Sequence, residues 1–187
     1  MTVEKTIEFG VMDVDSIIKA YLGAFKTENQ TSLALIKKYG QSYDKKVINV
    51  LEFSSARKYS VVEFEDGVYA LGAPEFLVND EDILAKAEDA ARNGIRSVLL
   101  VKVNGKIYDD GTLSKRRSPI ALCLIRDNIR TEVRPTMEWF AENDVDIKVI
   151  SGDNPSTVSY IAKQSGIKNW DKVVDMSTVD EKDLEEL

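Results

Sequence analysis

Polar and apolar residues alternate over residues 2–9, a period of two that predicts an edge strand. The period lengthens over residues 15–25. There Ile17, Ile18, Tyr21, Leu22 and Phe25 share a helical face, and Asp15 or Ser16 can cap the start. Residues 31–39 repeat the helical pattern with Leu33, Leu35 and Ile36, and the lysines at 37 and 38 suit a helix C-terminus. From residue 47 to 71 the period returns to two and predicts three strands, over 47–53, 60–65 and 68–71, the last two joined at Asp66-Gly67 as a hairpin. Residues 80–93 put Ile83, Leu84, Ala87 and Ala91 on one face of a helix that Gly94 ends. The unbroken apolar runs 97–103 and 120–125 suit interior strands. Between them, 104–118 reads as a polar connection with a turn at Asn104-Gly105 and with Lys115, Arg116 and Arg117 solvated.

The pattern changes character after Asp127. A helix over 131–143 carries Val133, Met137 and Phe140 on one stripe, with Pro135 tolerated near its first turn. A short strand is expected over 146–150. Asn154 and Pro155 then supply the cap and first residue of a helix lined by Val158, Ile161 and Ala162 and closed by Gly166. Helix, strand, helix in that order implies a parallel sheet with crossovers. The expected fold is an α+β unit with a largely antiparallel sheet flanked by helices, residues 1–125, followed by a partial α/β unit, residues 126–187.

Composition narrows the chemistry. A chain of 187 residues can bury a core without staples. The single cysteine, Cys123, excludes a disulfide scaffold, and the absence of histidine excludes Ser-His-Asp and Cys-His nucleophiles and most zinc sites. No metal-ligand set is visible. No apolar run is long enough for a membrane span, and no signal peptide opens the chain. The net charge of −7 argues against nucleic acid as a partner. It is concentrated at the end: residues 171–187 hold seven acids and two bases, which leaves the body nearly neutral.

Four short motifs carry candidate chemistry. Ser151-Gly-Asp-Asn-Pro155 falls between a predicted strand and a helix N-terminus, where α/β sheets bind phosphate-bearing ligands. Ser151 can bond a phosphoryl oxygen, and Gly152 lets the backbone approach beside Asp153. A capped loop without ligand explains the same residues. Phe53-Ser-Ser-Ala-Arg-Lys58 offers an aromatic ring for a purine and two cations, Arg57 and Lys58, for phosphate or ribose oxygens. It equally describes a core aromatic and solvated cations. In Leu71-Gly-Ala-Pro-Glu75, Gly72 and Ala73 leave backbone on which a flat ligand can lie, or simply make a turn before a helix. Asp127-Asn-Ile-Arg130 sits where the two units join, as a hinge latch or a weak local ion pair. Arg96, just after Gly94, can reach a phosphate or cover the strand that follows.

In this order and spacing the four motifs resemble the P-type (E1–E2) cation-transporting ATPases, over residues 28–167. The resemblance implies that residues 1–125 are a nucleotide-binding domain. Residues 126–187 would be part of a haloacid-dehalogenase-like phosphorylation domain. It implies Phe53 stacked on adenine, Arg57 and Lys58 near the nucleotide, Leu71, Gly72 and Ala73 in the pocket wall, and Arg96 on a phosphate. Residues 28–35 resemble the family element beside the adenine, which brings in Glu28 and Thr31. Asp127 and Arg130 would be the hinge, and Ser151, Gly152 and Asp153 would hold the transferred phosphoryl group. ATP and Mg²⁺ are the implied cofactors.

Leu71 stands where many family members carry lysine. The segment bearing the phosphorylated aspartate, the later Gly-Asp-Gly-x-Asn-Asp magnesium site and every membrane helix are absent from these residues. The sequence therefore reads as a soluble, monomeric, cytoplasmic piece of a membrane pump. Its partners would be adenine nucleotide and the remaining phosphorylation, actuator and transmembrane domains of the parent. Leu71 and Ser151-Gly-Asp153 resemble bacterial pumps for divalent cations, Ca²⁺ or Mg²⁺. Two other readings are a haloacid-dehalogenase-type phosphatase, for which Asp13-Val-Asp15 is the only approximation to a nucleophile loop, and a non-catalytic adenylate-binding scaffold.

Overall fold

The apolar runs that follow Gly94 and Arg117 become two adjacent interior strands of a six-stranded sheet. Burial on both faces is what their unbroken hydrophobicity requires. The chain is described by a computed structural model over residues 1–26, 29–105, 107–108, 110–175 and 178. Its elements run β1 (Thr2–Glu8), α1 (Val14–Gly23), α2 (Gln30–Tyr39), β2 (Val47–Leu51), β3 (Tyr59–Phe64), β4 (Gly67–Gly72), α3 (Pro74–Leu77), α4 (Glu81–Arg92), β5 (Ile95–Val103), β6 (Arg117–Arg126), α5 (Val133–Glu142) and α6 (Pro155–Gln164). The strand order is β1-β6-β5-β4-β3-β2 and every pairing is antiparallel. The chain divides into two units. The first holds residues 1–90 and 95–128, the second residues 91–94 and 129–187.

In the first unit the sheet is covered on both faces. Ile17, Ile18, Tyr21 and Leu22 of α1 and Leu35 and Tyr39 of α2 pack on Val62, Phe64, Tyr69, Leu100 and Ile125. On the opposite face Leu77 of α3 and Ile83 of α4 pack on Tyr59, Val61, Ala70, Leu99, Val101 and Leu122. The strict alternation of β3 and β4 residues between these two clusters is the period of two made physical.

Four local expectations are corrected. Asp13, rather than Asp15 or Ser16, caps α1, its carboxylate accepting from the Ser16 N–H at 3.1 Å. The β3–β4 loop is Glu65-Asp66, because Gly67 pairs with Phe64 and belongs to the ladder. The connection 104–118 is not simply polar. Ile107 and Leu113 bridge each other, Leu113 is buried in the second cluster, and Arg117 opens β6 with Nη1 donating to the Phe76 carbonyl. Residues 146–150 form no strand, and Ile150 is 99% exposed. A lone strand leaves its N–H and C=O groups without a ladder, and the described residues of the second unit supply no neighbour for it.

The second unit consists of α5 and α6 with their connections. Val133, Met137 and Phe140 are the half-buried stripe of α5, which buries no residue completely. In α6 the Asn154 side chain accepts from the N–H groups of Ser156 and Thr157, and Gly166 follows at φ 81°. Much of the acidic end, including residues 179–187, lies outside the described residues, as does Glu28.

Candidate functional site

Ladder register brings most of the first-unit candidates to one end of the sheet. Leu51 at the end of β2 pairs with Val61, Tyr59 at the start of β3 pairs with Gly72, and Gly72 pairs with Leu99 in the middle of β5, whose first residues run on past the end of β4. Ile95 in turn lies opposite Arg126, and Arg126 opposite Thr2. Phe53, Arg57, Lys58, Gly72, Ala73 and Arg96 therefore share this end, although up to 43 residues separate them in sequence. Thr31, in the first turn of α2, lies with its hydroxyl 4.0 Å from the Met1 sulfur, beside the start of β1.

Within this group the loop from Glu52 to Lys58 is held by its own backbone. The Lys58 N–H donates to the Ser54 carbonyl at 2.7 Å, and Arg57 Nη2 donates to the Glu52 carbonyl at 2.8 Å. Lys58 adopts φ 59°, in the left-handed region, and its carbonyl accepts from the Ala73 N–H at 2.9 Å. Phe53 is 51% exposed, so its ring belongs to neither core cluster. The Nε of Arg57 is buried without a hydrogen-bond partner among the described residues.

Gly72 and Ala73 have structural work of their own. A Cβ at Gly72 would fall 2.6 Å from the Tyr59 Cα and closer still to the Lys58 carbonyl, so only glycine permits β3 and β4 to meet there. Ala73 is the N-cap of α3 ahead of Pro74. Leu71 packs half-buried on the α1–α2 cluster, and Arg96 lies two positions before Val98 on that same sheet face.

Two side chains that the sequence did not single out tie this end together. The buried Tyr21 hydroxyl shares a 2.9 Å hydrogen bond with Ser60 Oγ, which reaches toward the Leu71 carbonyl. Burial raises the Tyr21 phenol well above its ordinary value, with the Glu52 charge adding in the same direction, so it stays protonated. Tyr59, buried on the other face, donates to the Gly111 carbonyl at 3.1 Å. Neither partnership is visible in a local pattern, since the partners lie 39 and 52 positions apart.

Ser151, Gly152 and Asp153 lie in the second unit as an exposed loop ahead of α6, the Asp153 N–H donating to Ser151 Oγ at 3.2 Å. The division between units falls between half-buried Asp127 and exposed Arg130. Asp13, of the approximate nucleophile loop, is committed to capping α1.

No protein-family model matches the chain. A Streptococcus pneumoniae protein described as "Probable cation-transporting ATPase exp7" is 32% identical over 182 residues, 96% of this chain and 23% of that protein. "Calcium-transporting ATPase CtpE" of Mycobacterium tuberculosis is 35% identical over 117 residues, 62% of this chain and 15% of that protein. The chain is homologous to the P-type cation-transporting ATPases. Because the pneumococcal ATPase matches 182 residues, the homology runs through both units. The chain spans less than a quarter of the length of these curated relatives.

Proposed function

We propose that the first unit binds adenine nucleotide at the sheet end formed by Phe53, Arg57, Lys58, Leu71, Gly72, Ala73 and Arg96, with Glu28 and Thr31 beside the adenine. The parent would be a membrane cation pump that couples ATP hydrolysis, through an aspartyl-phosphate, to transport, with this portion on the cytoplasmic side. The second unit would be part of its haloacid-dehalogenase-like phosphorylation domain, Ser151, Gly152 and Asp153 holding the phosphoryl group and Asp127 and Arg130 flanking the hinge. The names of the CtpE relatives, which are calcium-transporting, favour a divalent cargo. Membrane-spanning, actuator and remaining phosphorylation segments are assigned to the rest of that parent. No helix among the described residues is long and apolar enough to cross a membrane.

The observation that carries this reading is the presence, at one sheet end, of an exposed aromatic ring and three cationic side chains, in a chain homologous to ATPases. The groups present fit a nucleotide: a ring that can stack on a base, cations for phosphate, and in the Arg57 Nε a buried donor that lacks an acceptor. Mg²⁺ is a different matter. Among the described residues no three carboxylate or thiol groups gather to hold a metal ion, and no step is assigned to one here.

Titration of the chain with ATP, followed by amide NMR, is expected to shift the signals of Phe53, Lys58 and Gly72. Phe53→Ala should weaken binding by about fivefold or more, since stacking on a base contributes about 1–3 kcal/mol. Lys58→Ala should weaken it as well. A wild-type chain whose signals stay still at millimolar ATP would overturn the nucleotide reading. The isolated chain is expected not to turn over ATP, and sustained hydrolysis by a rigorously purified sample would contradict that.

A further inference from the structure

The connection between β5 and β6 leaves the far end of the sheet and folds back over the second face, burying Leu113 there. Its tip at Gly111 reaches the candidate site. The Gly111 N–H donates to the Tyr108 carbonyl at 2.8 Å, and its φ of 81° turns the chain so that its own carbonyl meets the buried Tyr59 hydroxyl at 3.1 Å. A Cβ at Gly111 would lie 3.3 Å from Leu51 Cδ2 and 3.4 Å from Arg57 Cδ. One loop tip thus touches the last residue of β2, the stem of Arg57 and the ring of Tyr59, three points around the loop that bears Phe53 and Lys58.

We propose that Tyr59, anchored on the Gly111 carbonyl, is a positioning residue that holds Lys58 and the Gly72 wall in the geometry nucleotide binding requires; this rests on the nucleotide reading above. Tyr59 is 7% exposed, pairs with Gly72 in the ladder and directly follows Lys58. Lys58 occupies a left-handed conformation that an L residue keeps only when its surroundings fix it. On one side that conformation is held by the Lys58 bonds to Ser54 and Ala73. On the other it is held by the Tyr59 ring, whose hydroxyl cannot leave Gly111 without stranding a buried carbonyl. Gly111 meets the stem of Arg57 as well as its guanidinium, and through Tyr59 it acts on the loop.

The test compares wild-type chain with Tyr59→Phe, and with Gly111→Ala as a second variant acting from the tip. In the ligand-free chain, hydrogen exchange of the Lys58 amide is expected to accelerate about tenfold in both variants, while the Leu99 and Leu122 amides keep their wild-type rates. ATP should then bind about three- to tenfold more weakly, the loss expected from one buried hydrogen bond. Unchanged Lys58 exchange, a uniform acceleration that includes Leu99, or wild-type ATP affinity in Tyr59→Phe would each overturn the positioning role. Failure of the wild-type chain itself to bind ATP would instead remove the nucleotide reading. Exchange in the free chain would then decide by itself whether Tyr59 fixes the loop.

Discussion

At the scale of single residues, small size and burial matter more at this sheet end than charge. Gly72→Ala places a methyl group against the backbone of Lys58 and Tyr59, atoms that cannot move without parting β3 from β4. The unfolding free energy is expected to fall by about 2 kcal/mol, read from urea titration, with overpacking as the cause. A neutral effect would mean that the strands part more easily than the ladder suggests. Gly72 and Ala73 stand out in the sequence as a bare stretch, but their partners do not, because Lys58 and Tyr59 meet them only through strand pairing. Tyr21 and Cys123 teach the same lesson in the core. Burial pushes the ionisation of both upward, and the partners concerned, Ser60 for one and Tyr39 for the other, come from distant elements.

At the scale of elements, the start of α6 was legible at Asn154 because a cap is local chemistry. Asn29 caps α2 through its side chain too, a cap the sequence pattern did not predict. The shift from Asp15 to Asp13 in α1 is a competition between neighbouring acids that only the backbone trajectory resolves, Asp13 being the one with extended dihedrals. Asn154→Ala is expected to cost α6 about 1 kcal/mol. Faster exchange of the Ser156 and Thr157 amides would register it, and unchanged protection would show that the cap contributes nothing. Residues 146–150 mark the limit of such reading. Their apolar alternation is that of a strand, yet a strand exists only where another one pairs with it. Depth of burial fails in the other direction at 104–118, where a polar composition conceals Leu113 in the core.

At the scale of the whole molecule, the two units differ sharply in how much they bury. The first contains both core clusters, whereas α5 buries no residue and α6 buries only Thr157 and Ala162. Both tryptophans, Trp139 and Trp170, belong to the second unit. Urea unfolding followed by tryptophan fluorescence is therefore expected to precede unfolding followed by far-ultraviolet circular dichroism. Coincident transitions would contradict this expectation. The sequence by itself determined most of the periodicities, the Asn154 cap, the absence of histidine chemistry and the four motifs whose order resembles the P-type ATPases. These are local properties of the chain or comparisons of residues. Only tertiary structure decided the strand order, the side of the sheet on which each residue is buried, and the convergence of residues 53 to 96 at one sheet end. It also decided the contact between Tyr59 and Gly111, because contacts across 52 residues are made by pairing and packing and leave no trace in a short window.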